Sequence, residues 1–405
     1  MGQRLKKISK DIPKPMVKIH NKPLLEHQIN ECVKYGFKKI IILVSYKKDI
    51  IKNYFSDGRN FGASIDYVEE KKQLGTAGAL INSLSLLSDE FLLIYGDIFF
   101  KLDLLNFYNF HKKKRSDVSI MLQPNDHPFD SDLIELEKNN RISNIILCPH
   151  NNILKKNLTN AAVYFFKKKS FLNIKLNNNK PDIVKHLFPK MIKLNKKLFG
   201  YITTEYMKDI GTPDRIKKVI RDIDSGKVQK LKRNLKKKVI IIDKDLLIKY
   251  STTKNKNELE LVEGVANQIY KINLTGHLCI IYDIQMNCVN EKKNDLNKNI
   301  TQLKIETLFG NSYAYFDRYY YLKLKKNHTN YNENLLKFFK KIVLDFNVAY
   351  KKSWIFSSNS LILSSSKDFG FNALKVGKII KNDKSFYVCR NINSGLNRVL
   401  KEIRK

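Results

Sequence analysis

An α/β protein made of two successive domains is what the sequence predicts, and three observations carry the prediction. Short apolar runs alternate with segments of helical periodicity. Glycine or Gly-Asp punctuation closes several of the runs, as strand ends and helix ends do. A lysine-rich polar stretch then divides the 405 residues into two such series. The expected boundaries are residues 1–225 for the first domain, 226–237 for a linker and 238–405 for the second domain.

In the first series, Leu24, Leu25, Ile29, Cys32 and Val33 recur at helical spacing, and Gly36 ends that helix. Lys39 to Val44 is an apolar run of the kind expected for a strand buried on both faces. A helix is expected over Lys48 to Phe55 and a strand over Ser64 to Val68. Gly75 to Leu80 opens another helix, and Phe91 to Tyr95 reads as a further buried strand running into Gly96-Asp97. Alternation of this kind predicts a mostly parallel sheet with ligands at the carboxyl ends of its strands. The second series starts with a strand at Val239 to Ile242, followed by Asp243-Lys244-Asp245. It continues with a helix over 262–274, a strand over 278–282, a helix over 334–346 and a strand over 354–356. The Asn-rich stretch 287–299 is expected to be a loop.

Composition bounds the function. A hydrophobic content of 43% with interspersed charge is that of a globular chain. No run approaches the roughly 18 apolar residues of a membrane span, so no membrane insertion is expected. Five scattered cysteines without CxxC spacing suit a reducing cytoplasm. The formal charge of +36 is spread along the chain, and no helix-turn-helix, zinc or RNA-binding signature accompanies it. Nucleic acid is therefore not the expected partner, whereas anionic small molecules would be steered by the positive field.

Candidate chemistry begins at the first residues. Gly2 and Arg4, followed by the rigid Pro13-Lys14-Pro15 segment, suit a loop that wraps a polyphosphate, with Arg4 and Lys14 supplying charge from two directions. Such loops follow a buried strand, and no strand precedes this one. Asp97 follows a strand and a glycine, and Asp209 opens the tight turn Asp209-Ile210-Gly211-Thr212-Pro213. Brought together, two such carboxylates can hold Mg²⁺ against substrate phosphates. Taken singly, each has a plainer role as a cap of a turn or helix.

The ordered set Gly2-Gln3-Arg4-Leu5, Pro13-Lys14-Pro15-Met16, Leu74-Gly75-Thr76-Ala77-Gly78, Gly96-Asp97, Asn160-Ala161-Ala162-Val163-Tyr164 and Asp209 to Pro213 resembles the sugar-1-phosphate nucleotidyltransferase family over residues 1–225. Asp11 to Met16 together with Leu25-Glu26-His27-Gln28 is most similar to its mannose- and heptose-1-phosphate guanylyltransferase branch. The resemblance implies a Rossmann-like α/β domain that binds a nucleoside triphosphate, GTP favoured, and a sugar 1-phosphate. A sugar-phosphate oxygen would attack the α-phosphorus and expel pyrophosphate. It further implies Mg²⁺ on Asp97 and Asp209, and charge stabilisation by Arg4 and Lys14. Nucleotide contacts would come from Gly2, Gln73, Gly75, Thr76 and Gly78, the glycines admitting a flat base. Asn160 would contact the sugar hydroxyls. Two departures stand out: Ala162 replaces a glycine of the family's Asn-Ala-Gly, and Ile146-Leu147-Cys148-Pro149-His150 stands near the usual Glu-Lys-Pro. Cys148 and His150 are two neighbouring potential metal ligands without a partner pair, so no metal is expected there.

Val239 to Asp245 resembles the strand and Asp-x-Asp motif of the haloacid-dehalogenase (HAD) phosphatases, in the histidinol-phosphate and heptose-bisphosphate branch. That implies a HAD-like fold for 238–405, with Asp243 and Asp245 as a vestigial site. The rest of the catalytic set does not match. Asp283-Ile284-Gln285 stands where the family has Thr-Asn-Gln, Tyr331-Asn332-Glu333 lacks the lysine, and Ser357 to Ile362 lacks the metal carboxylates. A negative charge beside a phosphate-binding aspartate opposes phosphatase chemistry, so the domain is expected to have lost catalysis. The aromatic run Tyr313 to Tyr321 is expected to serve packing or an interface.

Three functions follow: a cytoplasmic guanylyltransferase feeding surface-polysaccharide or lipopolysaccharide precursor synthesis, a sugar-bisphosphate phosphatase, or a non-catalytic regulatory or assembly module. A homo-oligomer stays open. Met1 to Leu5 corresponds to the rear half of the family signature Gly-Gly-x-Gly-x-Arg-Leu, which predicts a first domain lacking its first strand, in a fragment or a chain with a misplaced start.

Overall fold

The computed structural model describes residues 12–70, 72–150, 154–253, 256–286, 291–324, 331–377 and 386–404. Gly2 and Arg4 lie outside them. The chain divides into two units: unit 1 holds Met1–Gln123, Asp132–Cys148 and Thr159–Val228, and unit 2 holds Pro124–Ser131, Pro149–Leu158 and Gln229–Lys405.

Unit 1 begins with β1 (Lys18–Ile19), β2 (Lys22–Pro23), α1 (Leu24–Lys34), β3 (Lys39–Val44), α2 (Lys48–Phe55), β4 (Ser64–Glu69) and α3 (Thr76–Asn82). It continues with β5 (Glu90–Ile94), β6 (Ile98–Lys101), α4 (Leu104–Lys114), β7 (Val118–Gln123), β8 (Leu133–Leu136) and β9 (Ile142–Ile146). The remaining elements are β10 (Thr159–Lys167), α5 (Phe188–Lys193), β11 (Leu198–Ile202), β12 (Tyr206–Asp209) and α6 (Pro213–Asp224). The main sheet has the order β11-β7-β10-β8-β9, with β5 also on β10.

This sheet corrects the expectation of mostly parallel pairing. β10 runs antiparallel to β5, β7 and β8, and among the described residues β11–β7 is the only parallel pair of this sheet. Among the described residues no α-helix intervenes between β7 and β10, which suits their antiparallel pairing, since parallel neighbours are usually joined through a helix. Where α2 does intervene, β3 and β4 pair in parallel. β3 is not buried on both faces either, since Ile42 and Val44 are buried while Leu43 is 42% exposed. One face packs with Ile29, Ile51 and Phe55 of the flanking helices, and among the described residues β4 is the only strand paired with it. β5, expected to be buried, is half-buried along its length. The main core gathers Phe100, Phe107, Met121, Val163, Phe165 and Tyr201 around β6, β7 and β10. Each fully buried Phe contributes about 1.5–3 kcal/mol of transfer free energy.

In the expected linker, α7 (Lys227–Lys230) forms, and Val228 and Leu231 are buried. These two apolar side chains pack instead of leaving a solvated tether. Unit 2 then runs through β13 (Val239–Asp243), β14 (Ile248–Thr253), β15 (Lys256–Leu261), α8 (Val265–Asn273), β16 (Leu278–Met286), α9 (Glu291–Asn311) and β17 (Arg318–Leu324). It closes with α10 (Tyr331–Phe346), β18 (Trp354–Ser357), α11 (Ser360–Phe369), β19 (Asn372–Val376), β20 (Tyr387–Cys389) and α12 (Ile392–Arg404). Its sheet, β17-β16-β13-β18-β19-β20, is parallel throughout. Every residue of β13 is buried, as its apolar run requires at the centre of such a sheet.

The helix expected over 262–274 forms with a later start, and the expected Asn-rich loop does not form where described. Helix α8 begins at Val265, because the antiparallel hairpin β14–β15 occupies the chain up to Leu261 and Gly264 turns it at φ +76°. The Asn-rich stretch, where described, is the first part of α9; Glu, Lys and Leu between the asparagines are helix formers and outweigh the turn preference of Asn. The aromatic run packs: Phe316 sits edge-on to Phe309 at 4.7 Å, and Tyr319 contacts Tyr321 at 5.1 Å. No helix of the described residues is long and apolar enough to cross a membrane.

Candidate active site

Asp97 and Asp209 lie far apart in sequence and are joined by strand pairing. β6 and β12 are antiparallel with Asp209 opposite Ile98, and the Ile210 N–H donates to the Asp97 carbonyl at 2.9 Å. The backbones of both aspartates therefore stand at one end of this two-stranded ladder. Lys14 approaches Asp97 from the Pro-Lys-Pro segment, its Nζ 3.5 Å from Asp97 Oδ2, with side chains 30% and 34% exposed. The approach depends on Gly96, where a Cβ would come within 3.2 Å of Pro15 Cγ.

Two further residues complete the arrangement, and sequence reasoning had not singled them out as functional. Gln28, buried on α1, donates its amide to the carbonyls of Tyr95 at 2.9 Å and Ile98 at 2.7 Å, fixing both flanks of the Gly96-Asp97 turn. Arg215 reaches back from the first turn of α6 to Asp209 Oδ1 at 2.5 Å. The signal for it was present: Thr212 caps α6 by accepting from the Arg215 N–H, and Pro213 stands at the first helical position. Asp209 Oδ1 also accepts the Gly211 N–H at 3.2 Å, so the turn-capping role holds as well.

The Gly75–Gly78 segment has a packing explanation. Gly75 has φ +76°, and a Cβ there would lie 2.4 Å from the Pro181 carbonyl oxygen; at Gly78 it would meet Leu74 Cβ at 2.9 Å. Both glycines thus lack side chains for reasons internal to the fold, whatever a nucleotide requires. Thr76 donates its hydroxyl to Asp182 Oδ2 at 2.8 Å and accepts the Ile183 N–H at 2.8 Å, tying α3 to the segment before α5. Gln73 is exposed, with Lys180 Nζ at 3.4 Å from its Oε1.

Asn160 occupies a β-bulge, where the β10–β7 register shifts between Asn160 and Tyr164. Its side chain donates to Tyr164 Oη at 3.0 Å and accepts the Ala162 N–H at 3.2 Å. Ala162 holds φ +56°, a left-handed conformation that glycine adopts without strain. The departure from Asn-Ala-Gly therefore falls where the backbone most favours glycine. His150 uses both ring nitrogens locally, Nε2 with the Ser131 carbonyl at 2.8 Å and Nδ1 with Lys155 Nζ at 2.6 Å.

In unit 2, Asp243 is 3% exposed at the end of the central strand. It accepts the Asp245 N–H at 3.1 Å, the Ser357 hydroxyl at 3.2 Å and the Tyr282 hydroxyl at 3.4 Å. Burial pushes its carboxyl up to about 6. Lys244 Nζ lies 2.9 Å from Asp283 Oδ1 and 3.3 Å from Asp245 Oδ1, bridging the two carboxylates. Among the described residues, no three His, Cys, Asp or Glu side chains converge as a metal-binding group. Asp97 and Asp209 would offer two hard oxygen donors, a donor type that fits Mg²⁺, which keeps waters and substrate phosphates in its shell.

The nucleotidyl transferase family model matches residues 1–226, more than half of the chain. A D-glycero-alpha-D-manno-heptose 1-phosphate guanylyltransferase from Campylobacter jejuni is 34% identical over 220 residues, covering 53% of this chain and 92% of that protein. The bifunctional protein GlmU of Methanococcus maripaludis is 32% identical over 226 residues, covering 52% of this chain and 49% of that protein. The chain thus spans about half the length of GlmU relatives of this kind. A solved Bacillus anthracis structure, named a glucose-1-phosphate thymidylyltransferase, shares the fold at 20% identity and a TM-score of 0.50, covering 55% of this chain and 92% of that one. The chain belongs to the nucleotidyl transferase family.

Proposed function

We propose that the chain transfers a nucleotidyl group, GMP from GTP favoured, to a mannose- or heptose-type sugar 1-phosphate, releasing pyrophosphate. The observation that supports this reading is the strand pairing that brings the Asp97 and Asp209 backbones to one ladder end, with Lys14 on Asp97 and Gln28 fixing the turn beside it. The sugar-phosphate oxygen forms a bond to the α-phosphorus as the bond to pyrophosphate breaks, and no covalent enzyme intermediate is required. The residues therefore act by positioning and by neutralising charge. Asp97 and Asp209 would hold Mg²⁺, which offsets the negative charge of the triphosphate when bound. Lys14 presents its ammonium to the phosphoryl oxygens, with Arg4 expected beside it, and Asn160 orients the sugar from the bulge of β10. The guanylyltransferase relative supports the transfer reaction; a cytoplasmic setting and a role in supplying surface-polysaccharide precursors extend the proposal beyond it. The test is pyrophosphate release from each nucleoside triphosphate with mannose 1-phosphate or heptose 1-phosphate. GTP is expected to give the fastest release, and silence with every pair overturns the proposal.

A specific observation favours a second statement about unit 2, as a phosphatase-like scaffold that has lost catalysis. Lys244 bridges Asp245 and Asp283 where a phosphatase of the resembled type would keep its carboxylates open to a cation and a phosphate. Sugar bisphosphates are expected to release no phosphate. Release that disappears in Asp243→Asn would restore the phosphatase reading.

A further inference from the structure

Within unit 1, the segment that carries Gln73, Gly75, Thr76 and Gly78 is backed by three consecutive residues, Lys180-Pro181-Asp182, which lie outside the motifs of the family resemblance. The Ala77 N–H donates to the Pro181 carbonyl at 3.0 Å. Gly75 lies so close to this strip that a Cβ would stand 2.4 Å from the Pro181 oxygen and 2.9 Å from the Lys180 oxygen. A Cβ on Gly78 would be 3.7 Å from Pro181 Cγ and Cδ. The Lys180 contact with Gln73, at 3.4 Å and exposed, adds least.

The link with chemical direction joins Thr76 to Asp182. The Thr76 hydroxyl oxygen accepts the Ile183 N–H at 2.8 Å, and its one proton goes to Asp182 Oδ2 at 2.8 Å. The other carboxylate oxygen is held independently. Asp182 Oδ1 accepts the Val184 N–H at 2.8 Å and the Lys185 N–H at 2.9 Å, capping the π-helical turn Ile183–Leu187. The Asp182 backbone is anchored as well: its N–H donates to His186 Nδ1 at 2.8 Å, and its carbonyl accepts the His186 and Leu187 N–H groups, each at 3.0 Å. Ile183, Val184 and Leu187 are buried, so the turn that carries Asp182 is seated by its own apolar side chains.

On the other side of this bond is a short element that needs support. α3 has seven residues, and its N-cap, Gly75, has no side chain with which to cap it. Helices of this length are marginal by themselves and depend on tertiary contacts. The bond from Thr76, the first residue of α3, is charge-assisted and therefore of the stronger kind. Thr76 thus spends its hydroxyl proton inside the protein, and what this bond holds in place is the backbone of Gly75–Gly78.

We propose that Asp182 is a positioning residue for the nucleotide side of the transfer site, acting through the Thr76 hydroxyl on the backbone of Gly75–Gly78. The inference rests on the reading of that segment as the nucleotide contact. A hydrogen bond to a charged acceptor corresponds to about tenfold in an equilibrium constant, which sets the expected scale. The test uses the full chain with Asp182→Asn, Thr76→Val, Thr76→Ser and the double variant Asp182→Asn/Thr76→Val. Asparagine keeps a carbonyl oxygen for the Val184 and Lys185 N–H groups but takes away the acceptor of the Thr76 proton, so the cap survives while the link is cut. Calorimetry measures binding of GTP, ATP, UTP and dTTP. Steady-state kinetics gives kcat and the KM of each substrate, with mannose 1-phosphate or heptose 1-phosphate as acceptor, and amide hydrogen exchange covers 73–80.

For the triphosphate that the wild type binds most tightly, Asp182→Asn and Thr76→Val are each expected to weaken binding and raise its KM by about tenfold. The KM of the sugar phosphate and kcat are expected to stay within about threefold, as for lost uniform binding. Thr76→Ser keeps the hydroxyl and is expected to bind within about twofold of wild type. The double variant is expected to lose no more than either single one, as two side chains acting through one bond do. Exchange over 76–80 is expected to quicken by about tenfold in Asp182→Asn.

A wild-type chain that binds no triphosphate overturns the functional reading and the inference with it. Wild-type binding that Asp182→Asn leaves unchanged overturns the inference alone. A double variant in which the two losses multiply does the same, because the side chains would then act separately. Equal rises in the KM of triphosphate and sugar phosphate mark a role in the fold only and also overturn it.

Discussion

Two groups of aspartates stand at strand ends in this chain, in opposite surroundings. Asp97 and Asp209 are 34% and 27% exposed as side chains, and each faces a cation that is itself partly in water, Lys14 and Arg215. Asp243 and Asp283 are 3% and 6% exposed, held among Tyr282, Ser357, Tyr319 and the half-enclosed Lys244. A partly hydrated carboxylate can exchange its partner for an incoming cation at modest loss, whereas a buried, bridged one must break an ion pair in a poorly solvating site. The same residue type at the same kind of position is open to a ligand in unit 1 and committed to the fold in unit 2. Access separates them.

That contrast is most exposed to failure in unit 1. Asp97→Asn or Asp209→Asn is expected to lower pyrophosphate release by about 10²–10³-fold with the fold retained by circular dichroism. A loss below about threefold would remove the reason for calling this pair the working one.

In unit 2 the expected effect is on stability. Because the folded-state pKa of Asp243 is raised from 3.8 to about 6, the folded state binds the proton more tightly than the unfolded state. Stability from this group is full below about 4, falls as pH rises through 6, and stays low at neutrality. Asp243→Asn removes that dependence, so the variant is expected to be more stable by about 2–3 kcal/mol at pH 7 and to show no such fall. Urea unfolding from pH 4 to 8 checks it, and a variant less stable than wild type at pH 7 would show the ionised group to be favourably held.

The smallest effect sharpens the sugar side of unit 1. Ala162→Gly relieves a φ of +56° and is expected to raise stability by about 1 kcal/mol, read as a higher melting temperature. A destabilised glycine variant would mean that the methyl group packs well enough to outweigh the strain.

Legibility in the sequence followed physical signal strength. Apolar runs gave away β3, β5, β13 and β18, although of these β13 and β18 alone are buried along their whole length, and β4 showed through its alternation of Ile65, Tyr67 and polar residues. Direction of pairing did not show, since antiparallel β10 and parallel β13 present similar compositions to a reader of single segments. The hairpin β14–β15 carried only the weak alternation Leu259, Leu261 in a polar setting. α9 was hidden by its asparagines. At the candidate site, Asp97 and Asp209 were legible as motif aspartates. Gln28, Arg215 and Lys244 acquire meaning only through partners brought from elsewhere in the fold, and no local pattern announces a partner 70 or 6 residues away.

The chain passes between the two units after Gln123, Ser131, Cys148, Leu158 and Val228. During synthesis, Leu158 therefore emerges long before Asn311 completes the helix that receives its segment. The interval of 153 residues, from 158 to 311, corresponds to roughly 8–30 s at ordinary translation rates. Over that time 124–131 and 149–158 have no seat, because the α9 residues that hold them are not yet made. Seating of 124–131 and 149–158 on this helix is thus a late event on the ribosome, timed by the arrival of the second half.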